Sequence, residues 1–260
     1  MAAHDSPYAA PPERAVALIT GGARRIGAAI ARELHAGGMN VVIHYRSSGA
    51  AARKLADGLN AARAHSALSL RANLLESAQL GKLIEETLAG WGRLDALINN
   101  ASTFYPTPLG AMDENAWDDL AGSNLKAPLF LSQAAAPALK KSRGCIVNLV
   151  DTHRDRPLAG YALYCAAKAG LITLTRALAL ELAPDVRVNA VAPGTILWPE
   201  KSAPDAAAQQ QQLGRIPLQR QGQPEEVARA VRYLVSSDAA YITGQVITVD
   251  GGVSLTGGAV

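Results

Sequence analysis

Short apolar runs and longer amphipathic stretches take turns along nearly the whole of this chain. That alternation limits the fold more than any other feature. The apolar runs cover residues 15–20, 41–44, 67–70, 94–100, 145–150, 187–191 and 246–249. Runs this short, closed by turn signals, mark strands buried on both faces. Between them lie helical patterns. One ends near residue 36 at Gly37-Gly38, and others cover 50–59, 77–91, 117–141, 161–182 and 224–236. Ser77 reads as an N-cap, Pro224 as a first-turn residue, and Pro128 and Pro137 as irregularities within the long fourth helix. Strands that alternate with helices build a parallel sheet covered on both faces. The prediction is an α/β fold with one doubly wound parallel sheet of about seven strands.

No linker or internal repeat divides the pattern, so residues 15–260 read as one domain. Residues 1–14 hold three prolines and several alanines, without the basic start and apolar block of a signal peptide, and read as a disordered tail. The segment 194–214 breaks the rhythm with Trp198, Pro199, Pro204 and a glutamine run. In a doubly wound sheet such an insertion lies near the carboxyl ends of the strands and covers the site. A mobile surface loop with a short helix is the equal alternative.

Hydrophobic residues make up 49% of the 260, enough for a large core. A net charge of +3 is too mild for a nucleic-acid partner. No apolar run approaches membrane-spanning length, which predicts a cytoplasmic protein without a membrane partner. The two cysteines, Cys145 and Cys165, form neither a disulfide framework nor a zinc spacing, and no metal site is predicted. Cys165 is either a reactive thiol or a small buried filler.

The chemistry concentrates in residues 151–168. An apolar run ends on Asp151, a polar loop follows, and Tyr164 and Lys168 then stand four apart at the start of a helical pattern. Four residues is about one helical turn, so both side chains share a face. An ammonium beside a phenol favours the phenolate, and the expectation is a lowered Tyr164 pKa and a general acid usable near neutrality.

A second concentration follows the first strand, at Gly21-Gly22-Ala23-Arg24-Arg25-Ile26-Gly27. Backbone N–H groups at a helix start bind phosphate, and glycines let a pyrophosphate approach. The spacing is not Gly-x-Gly-x-x-Gly, and Arg25 stands where a further flexible glycine is expected. Arg24 and Arg25 either contact an anion or are two solvated arginines, which the helix dipole disfavours there. The second strand ends in His44-Tyr45-Arg46-Ser47-Ser48. It has no acid to hold an adenine ribose, and Arg46 with two hydroxyls suits a 2′-phosphate, which predicts NADP rather than NAD. Asn73 meets the adenine or plays a turn role.

Together Thr20-Gly21 with Gly27, Asn99-Asn100-Ala101, Asn124, Tyr164-x-x-x-Lys168 and Pro193-Gly194 resemble the short-chain dehydrogenase/reductase superfamily over about residues 15–255. The resemblance implies a Rossmann-type fold. It makes Tyr164 the proton donor, with Lys168 holding the nicotinamide ribose and lowering the tyrosine pKa. Asn124 then keeps a water in a proton relay. Gly21, Arg24, Arg25, Ile26, His44, Tyr45, Arg46, Ser47, Asn73, Asn100, Ala101, Ser102, Pro193 and Gly194 border the cofactor together with Tyr164 and Lys168. It also implies a homotetramer built on the long helices after the fourth and fifth strands. Small residues such as Ala166, Ala167, Ala169 and Gly170 allow close packing between subunits or within one.

Three departures narrow the resemblance. Asp151 stands thirteen residues before the tyrosine, where most members carry serine; Ser102 replaces the glycine of Asn-Asn-Ala-Gly; Arg25 replaces a turn glycine. With the stretch 102–108 and the ending Asp250-Gly251-Gly252-Val253-Ser254-Leu255-Thr256, these are similar to pteridine reductases. That implies an NADPH-dependent reductase of pterins, with folate as a second substrate class. Phe104 would stack on the pterin ring, Arg25 and Ser102 bond its heteroatoms, and Asp151, Tyr161 and Tyr164 line the pocket. A carbonyl or 3-oxoacyl-thioester reductase is the rival reading, and a non-catalytic NADP-binding sensor is the third.

Overall fold

The computed structural model describes residues 15–154, 156–198 and 205–256. Its seven strands are β1 Val16–Ile19, β2 Asn40–Tyr45, β3 Ala67–Arg71, β4 Ala96–Asn99, β5 Cys145–Leu149, β6 Arg187–Pro193 and β7 Val246–Val249. They form one sheet in the order β3-β2-β1-β4-β5-β6-β7, with every neighbouring pair parallel. The chain starts in the middle, winds out to β3, returns, and winds the other way from β4 to β7. The predicted α/β fold with one doubly wound, seven-stranded sheet is the fold observed.

Each strand feeds two cores because successive side chains point to opposite faces. On β1, Ala17 and Ile19 join one core, and Val16 and Leu18 join the other. The first core holds Ile30 and Leu34 of α1 (Arg25–Ala36) with Val231 and Leu234 of α8 (Pro224–Val235). The second holds Leu83 of α3 (Ser77–Trp91), Leu131 and Leu139 of α5 (Ala127–Ser142), and Leu178 of α6 (Ala162–Glu181). The remaining helices are α2 (Gly49–Ala62), α4 (Glu114–Ala121) and α7 (Ala206–Gly214). A fully buried Leu or Ile contributes roughly 1.5–3 kcal/mol, so the double-sided sheet is the main source of stability.

Several expectations are corrected. Glu76, not Ser77, occupies the N-cap of α3, and Ser77 is its first helical residue. The long fourth helical pattern begins at Glu114, where Asp113 accepts from the Ala116 amide. It is interrupted by a π-helical turn, Gly122–Lys126, and Pro137 sits inside α5 without breaking it. The reason lies in Pro128. It has no N–H for the carbonyl of Asn124 and its ring crowds that carbonyl, so the turn widens just before it. One helix, α6, is long and apolar enough to cross a membrane by length and composition, contrary to the sequence expectation. It is half buried in the core and carries Tyr164 and Lys168 inward. Gly170 of α6 meets Leu125 of its own subunit, so the small residue there serves packing within the chain. The 1–14 tail and the middle of the 194–214 segment, residues 199–204, lie outside the described residues.

Candidate active site

All the sequence-marked residues lie at the carboxyl ends of the strands, beside the point where β1 and β4 lead the chain in opposite directions. Ligands bind at that crevice in open α/β sheets. The two halves of the site are built differently.

The glycine turn after β1 is held by close packing. Gly21 has φ +60°, and a Cβ there would stand 3.0 Å from the Cα of Ala101. A Cβ on Gly27 would stand 2.3 Å from the Gly21 carbonyl oxygen and 2.6 Å from Asn100 Nδ2. Asn100 closes the turn by donating from Nδ2 to the carbonyls of Thr20 and Gly21, at 2.8 and 3.2 Å. Thr20 Oγ1 accepts from the amides of Asn100 and Ala101. Sequence reading missed this threonine hydroxyl as an organiser.

The Gly21 and Gly22 amides are taken up inside the protein. Gly22 N–H donates to the His44 carbonyl at 2.9 Å, and Gly21 N–H donates to His44 Nδ1 at 3.2 Å. His44 is a buried brace behind the turn. Its Nδ1 accepts, so the proton is on Nε2, which donates to the Ala72 carbonyl at 3.2 Å. Burial pushes its pKa down to about 4, against the opposing Ala72 bond. Arg24 is the N-cap of α1, exposed, with no side-chain cap and no acid in the first turn. Arg25 occupies left-handed backbone at φ +52°, and Ile26 is half buried beside it. The Arg25 guanidinium donates to the carbonyls of Leu197 and Trp198, at 3.3 and 3.2 Å. It links the turn to the start of the 194–214 segment.

At the ends of β2 and β3 a cleft of ≈ 530 Å³ is lined by Arg46, Arg71, Asn73, Glu76, Gln79 and Lys82, among others. Arg71 Nε donates to the Arg46 backbone carbonyl at 3.3 Å, which ties the ends of the two strands together at the cleft. Arg71 was not anticipated; it ends a strand pattern and gave no signal of its own. Arg46 also lies 3.6 Å from Asp119 of α4. Ser47 is exposed, and Tyr45 is half buried over Gly49. Asn73 has the turn role: its amide donates to Gln79, its Nδ2 to Glu76, and its Oδ1 accepts from Leu75. Gly194 donates to the Val249 carbonyl, and a Cβ on it would stand 2.6 Å from Asp250 Cβ. Pro193, just before it, pairs in register with Val249.

The opposite half is built from side chains. Tyr164 Oη donates to Asp151 Oδ2 at 2.6 Å. His153, on a short turn Thr152–Arg154, meets the other oxygen of the same carboxylate with its ring Nδ1 at 2.7 Å and its backbone N–H at 2.8 Å. Sequence reading gave His153 no role, because a polar loop residue carries no spacing signal. Lys168 is buried, and its Nζ donates to the Leu149 carbonyl at 2.7 Å while lying 5.8 Å from the Tyr164 ring centroid. Phe104 stacks on Tyr161 at 4.6 Å and meets Tyr164 edge-on at 4.8 Å. Ser102 Oγ donates to Asn124 Oδ1 at 2.7 Å, and Asn124 Nδ2 donates to the carbonyls of Thr103 and Leu120. The π-turn thus holds the loop after β4 through Asn124.

The electrostatics correct one expectation. Burial, and then the Asp151 charge, hold the Tyr164 pKa well above its ordinary value rather than below it. The lysine does not reverse this, because its own charge is buried and turned to the Leu149 carbonyl. Burial brings Lys168 down to about 8, opposed by Asp151. Burial also pushes Asp151 up, but the bonds from His153 and Tyr164 outweigh it and leave the carboxyl below its usual range. Asp151 is therefore an ionised acceptor at neutral pH, with a phenol donor on one oxygen.

A family model described as enoyl-(acyl carrier protein) reductase matches residues 21–254. Pteridine reductase 1 of Leishmania tarentolae is 40% identical, over 94% of this chain and 98% of that protein. This chain belongs to the short-chain dehydrogenase/reductase family. The 3-oxoacyl-[acyl-carrier-protein] reductase FabG of Staphylococcus aureus is 38% identical, over 91% of this chain and 96% of its own. A 3-oxoacyl-[acyl-carrier-protein] reductase of Synechocystis is 40% identical, over 91% and 96%. As a short-chain reductase, the chain is an oxidoreductase that uses a nicotinamide cofactor. The crevice fits such a group: glycines packed without room for a Cβ border it, and the start of α1 beside it has no side-chain cap and no acid in its first turn.

Proposed function

We propose that the chain is an NADPH-dependent reductase of pterins that carries a dihydropterin to a tetrahydropterin, with dihydrofolate as a second substrate to test. The observation that carries this reading is the Asp151 carboxylate accepting from Tyr164 at 2.6 Å, where most of the superfamily places a serine hydroxyl. A hydroxyl donates to a substrate carbonyl, whereas an ionised carboxylate accepts from ring N–H groups such as those of an aminopyrimidine. The pteridine reductase relative and the sequence departures Arg25, Ser102 and Asp151 support the same class.

When bound, the cofactor supplies the hydride. Tyr164, assisted by Asp151, protonates the ring nitrogen beside the reduced carbon. Lys168 holds the nicotinamide ribose, and Asn124 keeps a water in the relay. Phe104 stacks on the pterin, and Arg25, Ser102 and Tyr161 border it. The amides and side chains of Arg24 to Ile26 face the cofactor phosphates, while Arg46, Ser47 and Arg71 face the 2′-phosphate. Tyr45, Asn100, Ala101, Pro193 and Gly194 wall the crevice, and the 194–214 segment covers it. A domain spanning residues 15–260, acting as a cytoplasmic homotetramer through α5 and α6, completes the proposal. Exposed Phe130 on α5 and the unpaired cysteines support it.

The specific rival is reduction of a 3-oxoacyl thioester, favoured by the equally similar acyl-carrier-protein reductases. Oxidation of NADPH with dihydrobiopterin, dihydrofolate and an acetoacetyl thioester in parallel separates the two. Pterin turnover well above the thioester is expected; thioester turnover with inert pterins would overturn the pterin reading. Removing either Arg46 or Arg71 (Arg→Ala) is expected to weaken NADPH binding about tenfold and leave NADH binding unchanged, measured by nucleotide fluorescence.

A further inference from the structure

We propose that His153 is a positioning residue for the acid: it fixes the Asp151 carboxylate against Tyr164 and, when protonated, balances its charge so that Tyr164 can give up its proton. The inference rests on Tyr164 as the proton donor. Three groups converge on one carboxylate. The His153 ring and backbone N–H occupy Oδ1, at 2.7 and 2.8 Å, which leaves Oδ2 facing the Tyr164 hydroxyl at 2.6 Å. The three residues come from the end of β5, the Thr152–Arg154 turn and the first turn of α6. A carboxylate rotor held at Oδ1 by two donors cannot swing Oδ2 away from the phenol without losing both.

The charge argument follows from the same contacts. A bare carboxylate beside a buried phenol opposes formation of phenolate, because the two anions repel in a poorly solvated site. An imidazolium on the far oxygen makes the His153–Asp151 pair neutral overall and lifts much of that opposition. The bond to Asp151 holds the His153 pKa above its ordinary value, against the opposing effect of burial. Among the described residues, Asp151 is the charged group on His153, and Tyr164 lies beyond it. Arg156 on the same loop is taken up by the Thr256 carbonyl. Lys168, across the tyrosine ring, is the other cation and titrates at about 8. Since His153 is protonated below its raised pKa, its contribution is present at lower pH and lost as pH rises through that value.

Two measurements on the full-length protein test this. The first follows the His153 imidazole by NMR from about pH 5 to 9, in the native chain and in Asp151→Asn. It needs no substrate. The native pKa is expected above that of free histidine and should drop by about a unit or more in the variant. An unchanged pKa would overturn the proposal. The second compares pH profiles of kcat/KM in the native chain, His153→Gln and His153→Ala, with whichever of dihydrobiopterin or acetoacetyl thioester is turned over. Glutamine can orient the carboxylate but carries no charge. It is expected to lower the acid-side plateau about fivefold and to remove the limb set by His153, leaving that of Lys168. Alanine is expected to lose more, with unchanged cofactor affinity. Superimposable profiles for the native and glutamine forms would show a merely structural residue. If neither substrate is turned over, the function reading falls, and the imidazole titration alone decides the role of His153.

Discussion

The glycine turn after β1 and the acid cluster after β5 serve one crevice but are specified by opposite means. At the turn, atoms that are missing do the specifying. Gly27 has 2.3 Å between a notional Cβ and the Gly21 carbonyl, and the Gly21 and Gly22 amides are bound by a neutral, buried His44. At the cluster, atoms that are present specify the site. Asp151, His153, Tyr164, Lys168, Phe104 and Tyr161 meet through hydrogen bonds and ring contacts, and Phe104 remains 43% exposed. A backbone cradle suits a cofactor held in one pose. A side-chain cluster can be altered residue by residue, which is how one fold comes to accept different substrates. Changes at the turn should therefore cost stability and cofactor affinity together. Changes at the cluster should cost turnover or substrate affinity with little loss of stability.

The largest expected effect lies in the cluster. Tyr164→Phe should lower kcat on the order of a thousandfold, while the cofactor Kd and melting temperature hold; a joint loss of cofactor binding would erase the distinction between the regions. Next comes the brace of the turn. His44 has a folded pKa of about 4 against 6.5 for the free group. The unfolded chain therefore takes up the proton first as pH falls. Its contribution, about 3 kcal/mol, is complete above the free value and lost as pH drops toward the folded one. Urea unfolding across that window should show a steeper pH dependence for the native chain than for His44→Gln; equal slopes would rule out the neutral brace. Gly27→Ala should destabilise by about 2 kcal/mol through overpacking and weaken cofactor binding as well, read by thermal unfolding and nucleotide titration. The smallest effect is at the exposed aromatic. Phe104→Leu should raise the substrate KM about fivefold, near 1 kcal/mol for a lost ring contact, with an unchanged melting temperature.

What was legible follows the same division. The sheet could be read because buried parallel strands leave short apolar runs, and those runs fell within a few residues of the observed strands. The glycines and the Tyr164/Lys168 pair could be read because they depend on local spacing. The reading failed where a partner comes from far along the chain. His44 was read only as bordering the cofactor, and its brace to Gly21, twenty-three residues away, had no signal in the sequence. Arg71 joins Arg46 across two strands, and Arg25 reaches the carbonyls of Leu197 and Trp198. The expected fall in the Tyr164 pKa failed for an electrostatic reason. Sequence placed an ammonium one turn away, but burial and the nearer carboxylate prevail.

The sequence alone determined the alternation of strands and helices, the turn that admits no Cβ, and the residue types available for proton chemistry, because each is written in periodicity or in local backbone need. Only the tertiary structure decided which oxygen of Asp151 faces Tyr164, that His153 holds the other, that His44 is neutral, and that Pro128 opens a π-turn presenting Asn124 to the loop after β4. Those outcomes depend on distance and burial between segments remote in the chain, and spacing along a sequence carries neither.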